Sequence, residues 1–492
     1  MIRPETRQSL LFALAFALVA LLLRVSTFGD PNIHVDEVFY QVVGIAMHEG
    51  AVPYVDIWDR KPWGLFFLFY LIAFLSWKPI AYQLVATAFA AATSWIIART
   101  ARRWCTAQGA LFAGFAYLLW LDKLQGFGGQ TPIFYNLFVA SAALLALGAR
   151  ESLLEGRVPP RFLGAMLLGG LAITIKQTVV FEASFLGLYG AGLLLRSAMP
   201  RPRALAHIAS WALIGAAPFV LISIWYAANG YWDIYWHAMV TSNADKPKSL
   251  ISGAIRALIV FAYLAPLLMV ATLSLANWSG PTRRFVAGWM VAALLGLVSV
   301  PNFYMHYALP MLVPLSLACA SFLARPRWGI IAIVCLAGWS LSTAHVLNFE
   351  HTARSRAAME KLASAIRRHD HGRGLFVVSG PPQLYVMTGN SFPTPLVFPQ
   401  HLGDIIEKDL SHLSTIGETR RVLAGHPGTV VIMDNPKAGP PNMEVINATL
   451  AYVRANCRKV ESVETLDLLN SPRMNVWAEC RPASDPRLQQ RR

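Results

Sequence analysis

HVDEVFYQVVGIAMHEGAVPYVDIWDRKP, residues 34–62, decides how the rest of the chain is read. It places Asp36, Glu37, Glu49, Asp56, Asp59, Arg60 and Lys61 between two long apolar runs, the first ending near Leu23 and the second beginning at Trp63. A bilayer tolerates ionisable groups poorly, so carboxylates and a lysine gathered where the chain leaves and re-enters apolar sequence mark a site at a membrane surface. The competing reading is a solvated connector with chance acids.

Outward from this loop the chain is apolar. Of 492 residues 55% are hydrophobic and 14% charged, and the mean hydropathy is +0.46. Apolar segments long enough for a crossing of about 20 residues recur through roughly the first 350 positions. The expected fold class is therefore a polytopic α-helical membrane protein, with about 11 to 13 transmembrane helices. Arg3 and Arg7 precede the first run with no small-residue cleavage site after it, which reads as an uncleaved helix with a cytoplasmic amino end. The net charge of +15 comes mostly from arginine in short loops, a topogenic pattern that points away from nucleic acid. Loops at Arg99–Arg103, Arg150–Arg161, Arg196–Arg203, Arg283–Arg284 and Arg325–Arg327 are assigned to the cytoplasm. The opposite side then receives 122–131, Lys176-Gln177, 229–250, 302–306 and the tail. Residues 63–98 are long enough for two crossings where this parity asks for one or three, so either one half fails to cross or the Arg99 loop breaks the rule.

Near Asn348 the pattern changes. Short β-like segments (Leu375–Ser379, Thr429–Met433, Asn475–Ala478) alternate with helical ones (Thr352–Arg368, Leu402–Leu410, Met443–Asn456). Residues 1–348 are thus expected to form the membrane catalytic domain and 349–492 a soluble extracytoplasmic α/β domain. Cys457 and Cys480 both fall in that tail, where an oxidising compartment permits a disulfide. No zinc-type Cys/His spacing, nucleotide-binding loop or Gly-x-Ser-x-Gly elbow is present.

Within the loop, Val38, Val42, Ile45 and Ala46 recur at helical spacing, which predicts a helix lying on the membrane surface. A carboxylate at the water–lipid boundary is partly desolvated, which raises its basicity and suits it to take a proton from a hydroxyl or amine. Lys61, just before Pro62 and the next apolar run, stands at head-group level, where an ammonium holds a phosphate or simply snorkels.

The order Asp36-Glu37-x-x-Tyr40, followed by Tyr54-x-Asp56-x-Trp58-Asp59-Arg60-Lys61-Pro62 and an apolar helix, resembles the first external loop of the GT-C glycosyltransferases of the protein O-mannosyltransferase and lipid A aminoarabinose transferase type. Gly170–Gln177 (GLAITIKQ), Asn302–Tyr307 (NFYMHY) before ALPMLVP, and Pro382–Gly389 (PQLYVMTG) fit the same pattern. The resemblance implies Asp36 as general base on the acceptor with Glu37 as its partner. It implies Lys61 and Tyr307 at the phosphate of a polyprenyl-phosphate sugar donor. Where the family carries an acidic residue before the helix near Phe134 this chain has Gln130-Thr131-Pro132-Ile133, and for the family's arginine in a long loop it offers only Asn243, Lys246 and Lys248.

A lipid-linked sugar keeps its tail in the bilayer and its anomeric carbon at the surface, so its transfer needs cations for the leaving phosphate and a base aimed at the acceptor. Lys61, Lys176, His306 and Tyr307 are the candidate phosphate groups. Tyr40, Tyr54, Asp56, Asp59 and Arg60 are candidates for acceptor or loop support. Lys176 is alternatively a helix-cap lysine and His306 a structural hydrogen-bonder. No cofactor is required; a divalent metal, bound by Asp36 and Glu37, is possible but not demanded. The expected activity is sugar transfer from a polyprenyl-phosphate donor to an envelope lipid, glycan or protein acceptor at the periplasmic face of a bacterial inner membrane, with the tail covering the cleft or orienting the acceptor. The alternative is a transporter or flippase for lipid-linked sugars, whose charges would line a translocation path.

Overall fold

The computed structural model describes residues 4–245, 250–276, 280–342, 346–434, 440–466 and 471–480. Among these, seven helices are long and apolar enough to span a bilayer: Thr6–Thr27, Ile80–Ala101, Thr131–Gly148, Gln177–Leu194, Arg201–Ala228, Ile251–Leu275 and Met305–Leu323. Trp63–Ala73, Pro160–Ile173 and Pro326–Leu341 are shorter apolar helices, and Ala107–Lys123 and Gly280–Val298 carry charges at their ends. Leu213, Leu221, Ile251 and Leu258 are exposed on the outside of the bundle, the surface a lipid tail covers. Lipid gives apolar helices little reason to associate, so close approach at small residues holds them together. A methyl added at Gly170 would lie 2.1 Å from the carbonyl of Gly215, and one at Gly109 2.4 Å from that of Ala320.

Trp63–Ala73 has 11 residues, which at about 1.5 Å per residue is near half of an apolar core of about 30 Å. A helix of that length matches the first of the two outcomes left open for residues 63–98, in which one half is too short to cross. The loops assigned to one side do meet: Asp36, Gln130, Lys176, Asn243 and Asn302 border a single cavity. Arginine loops gather elsewhere. Arg99, Arg103 and Arg161 lie within electrostatic reach of one another, and Gln108 donates to the carbonyls of Leu323 and Arg325 at 3.1 and 3.2 Å.

The helix Val35–His48 forms where the apolar spacing predicts it, but it does not lie on a surface. Glu37 through Ala46 are buried. It packs on Trp63–Ala73 so closely that a methyl on Gly44 would sit 2.6 Å from the Phe69 carbonyl carbon. Both sides are therefore covered, where an amphipathic surface helix would leave one open.

The tail begins with the helix Phe349–His369 and contains strands β1 (Leu375–Ser379), β2 (Thr429–Met433), β3 (Arg458–Glu464) and β4 (Arg473–Ala478), in the order β1-β2-β4-β3. β1 and β2 are parallel, the other neighbours antiparallel. β3 has no apolar alternation because it is an edge strand whose Arg458, Lys459 and Glu464 face solvent, a usual protection of an unpaired edge. The expected helix Leu402–Leu410 is replaced by a short helix Pro399–Gly403 and a 3-10 turn Ile405–Glu407. Asp404 breaks the helix by capping that turn, its carboxylate accepting from Ile406 N at 3.2 Å. A disulfide joins Cys457 to Cys480 across the open end of the β3/β4 hairpin.

The tail is fastened to the first loop. Trp58 N donates to Pro395 O (2.9 Å), Ser355 Oγ to the Asp30 carboxylate (2.6 Å) and Arg356 Nε to Gly29 O (2.9 Å).

Candidate active site

The His34 ring begins the helix Val35–His48 as its cap. Its Nδ1 accepts from the Asp36 backbone N–H at 3.2 Å and meets Gln130 Nε2 at 3.0 Å. Capping uses only the backbone of Asp36 and releases its side chain into the cavity.

Adjacent residues on a helix point about 100° apart, and this separates the two acids. Asp36 lines the cavity. Glu37 turns toward the 126–129 turn, where its Oε2 accepts from Gly129 N at 2.6 Å. The same turn is gripped from the other side by Arg24, which donates to the carbonyls of Gly126, Phe127 and Gly128. Burial drives the Glu37 carboxyl up to about 8 against the opposing pull of the Gly129 N–H and Arg24, so it holds a proton at neutral pH. Glu37 therefore stands outside the lining of the cavity as a support for the 126–129 turn. Among the described residues no three His, Cys, Asp or Glu side chains cluster as metal ligands.

Lys61 is the centre of the charge arrangement. Its Nζ lies 3.8 Å from Asp36 Oδ1 and 3.6 Å from Asp59 Oδ2, over the rings of Tyr40 (5.4 Å) and Phe398 (5.6 Å). Burial pulls the ammonium down, but Asp59, Tyr40 and Asp36 outweigh it and hold it well above the ordinary lysine value. Asp36 has the mirror balance. Burial pushes it up, as expected for a carboxylate near lipid, yet Lys61, His34, His306 and Lys176 together bring it to about 2. The expected rise in basicity is thus reversed by the cation beside it.

His306 approaches Asp36 from the far wall, Nε2 to Oδ2 at 3.9 Å, and its ring stacks on Tyr304. Lys176 lies over the Tyr307 ring at 5.2 Å. Burial, helped by Lys61, lowers Lys176 to about 8. Tyr40, Asp59, Arg60 and Tyr307 also line the cavity. Besides Glu37, two residues of the expected set do not. Tyr54 is buried, with its hydroxyl donating to the Lys61 carbonyl at 2.8 Å; it fixes the lysine's backbone from a left-handed conformation of φ 72°. Asp56 is exposed and closes the turn by accepting from Val52 N at 2.7 Å.

Arg256 is a cavity residue that the sequence reading missed. It projects from the helix Leu250–Leu275, donates from Nε to Asn302 O at 2.5 Å and covers the Tyr304 ring at 5.0 Å. Its signal was a lone arginine inside an apolar run, which a bilayer admits only with a partner or a water-filled cavity. Asn243 lines the same wall; Lys246 and Lys248 lie outside the described residues.

The tail also enters. Phe398, Gln400, Asp404 and Glu407 border the cavity, and Arg60 Nη2 reaches both oxygens of Glu407 at 2.6 Å. The cavity volume is about 660 Å³, within the usual range for a small-molecule site. Among the described residues four cations line the cavity, Arg60, Lys61, Lys176 and Arg256; Arg60 is paired with Glu407, and Asp36 lies 3.8 Å from Lys61 and 3.9 Å from His306. Such a site receives an anion and a neutral nucleophile together.

No protein-family model matches the sequence, and no curated protein matches it. Solved structures do. ArnT from Cupriavidus metallidurans bound to undecaprenyl phosphate aligns with a TM-score of 0.63 at 13% identity, covering 95% of this chain and 97% of that one. The same protein in the apo state gives 0.59 at 15% identity with the same coverage. Arabinofuranosyltransferase AftD from Mycobacteria gives 0.50 at 14%, over 97% of this chain and 42% of that one. At such identities the likeness is one of fold, and it is the GT-C fold that the first-loop resemblance implied.

Proposed function

We propose that the protein is a membrane glycosyltransferase that moves a sugar from a polyprenyl-phosphate donor to an acceptor hydroxyl or amine, with Asp36 as general base. The observation that carries this reading is the pairing of Asp36 with Lys61 at 3.8 Å on a cavity lined by several of the interhelical loops. A proton acceptor and a phosphate-binding cation thus line the same cavity. That the GT-C structure of ArnT was obtained with undecaprenyl phosphate supports a lipid phosphate as the ligand of the same fold here.

In this reading the acceptor oxygen or nitrogen attacks the anomeric carbon as its proton passes to Asp36. The bond from that carbon to the phosphate oxygen breaks, and its electron pair leaves with the lipid phosphate. The phosphodiester, with one negative charge, becomes a monoester with a second. Lys61, Lys176 and Arg256 meet that new charge where it develops, which is where preorganised charge contributes most. Donor binding also changes the base. A phosphate on Lys61 shares the ammonium that holds Asp36 down and adds a like charge nearby, so both effects raise the basicity of Asp36. Proton abstraction is therefore activated by the donor. The reaction takes place at the outer face of a bacterial inner membrane, on an envelope lipid, glycan or protein.

The test is turnover. Purified protein in nanodiscs is incubated with undecaprenyl phosphate carrying a labelled sugar, with and without envelope fractions. Release of undecaprenyl phosphate that needs both partners supports the reading. Movement of intact donor across the bilayer with no release would establish a transporter instead.

A further inference from the structure

Beside Lys61, the cavity has an edge where two buried acceptor atoms take no hydrogen bond among the described residues. Asp59 lies there with its side chain 3% exposed. Its Oδ1 accepts from Arg60 N at 2.5 Å. Its Oδ2 is buried and accepts no hydrogen bond among the described residues, although Lys61 is 3.6 Å away. Across the seam between loop and tail, the amide oxygen of Gln400 is also buried and unbonded, and both residues line the cavity. Their chain neighbours Trp58 and His401 pack ring to ring at 4.7 Å, which holds the two segments side by side. Buried acceptors left without donors are costly, about 1–3 kcal/mol each. They therefore point to an occupant rich in O–H groups.

We propose that Asp59 and Gln400 form the subsite for the hydroxyls of the donor's sugar, so that the tail takes part in choosing the sugar. This rests on the polyprenyl-phosphate reading above. The phosphate is excluded from this edge by the charge of Asp59 and the isoprenoid chain by its polarity. A sugar ring is not. With its phosphate on Lys61, a ring attached through one oxygen reaches the carboxylate 3.6 Å from that ammonium. The Asp59 carboxylate and the amide oxygen of Gln400 both accept, the complement of ring hydroxyls. Asp59 is then a donor-side residue, not acceptor or loop support.

The experiment measures binding of bare undecaprenyl phosphate, and of undecaprenyl phosphate carrying arabinose, glucose or mannose, to the full-length wild type and to Gln400→Ala. At least one glycosylated probe binds the wild type more tightly than the bare lipid, and Gln400→Ala removes that gain, a loss of about three- to tenfold for one hydrogen bond, while bare lipid binds as before. A gain that survives in the variant overturns the subsite, as does a wild type that never distinguishes glycosylated from bare lipid. If both probes weaken in parallel, Gln400 acts on the phosphate or the fold and the subsite is wrong. If the wild type binds no undecaprenyl phosphate, the underlying donor reading fails instead.

Discussion

Replacing Asp36 by Asn separates base from scaffold. The amide keeps the size of the side chain, and the cap on the helix Val35–His48 survives because His34 holds only the backbone N–H of residue 36. What is lost is a proton acceptor and a negative charge 3.8 Å from Lys61. Two unit charges at that distance attract by about 4 kcal/mol at an effective dielectric of about 20, roughly a thousandfold in proton affinity. The ammonium is not released entirely, since Asp59 remains 3.6 Å away. The variant is therefore expected to bind undecaprenyl phosphate as well as the wild type or better, and to lose about 10²- to 10⁴-fold in transfer rate. The assay pairs a lipid-phosphate binding curve with single-turnover transfer from a saturating donor. Retention of more than about a tenth of the rate would refute the base assignment. Loss of lipid binding would show that Asp36 organises the cavity rather than acting in it.

Glu37→Gln is expected to leave the transfer rate within about threefold, because Glu37 faces Gly129 and is already neutral. Glu37 also sets a pH dependence of stability. Its folded value near 8 lies above the ordinary 4.5, so its contribution is complete below about 4.5 and is lost as pH rises toward 8, by at most about 1.4 kcal/mol per pH unit; thermal unfolding in detergent should show a shallower decline over that window in the glutamine variant. Lys61→Ala should weaken undecaprenyl phosphate binding by tenfold or more while acceptor affinity changes little; a lost acceptor affinity with unchanged lipid binding would move Lys61 to the acceptor side. Lipid-phosphate affinity should fall as pH rises through about 8, where Lys176 gives up its proton, and Lys176→Met should flatten that limb. Glu407→Gln removes the charged partner of the part-buried Arg60 guanidinium and should lower the unfolding temperature, with the tail loosened from the first loop.

The sequence by itself determined the membrane class, because apolar runs of bilayer length and arginine-marked loops leave few other solutions. Charge beside apolar sequence, costly enough to need a reason, singled out Asp36, Lys61, Lys176 and His306, and the family resemblance added Tyr307; the structure brings all five to one cavity. The β1 and β2 segments were legible as continuous apolar runs, the edge strand β3 was not, and the helix breaker Asp404 looked like any polar residue in a helical stretch. Only the tertiary structure decided which acids share a cavity. Neighbours on a helix diverge, so Asp36 and Glu37 parted although they are adjacent in sequence, whereas Asp36 and Lys61, twenty-five positions apart, became an ion pair. The tertiary structure also set the sign of the electrostatics. Burial alone predicts a more basic Asp36, and the distance to Lys61, which no linear reading contains, reverses it. The same is true of Arg256 and Gln400, which reach the cavity from a membrane helix and from the tail: what matters for each is the wall it faces, and that is fixed by packing between segments far apart in the chain.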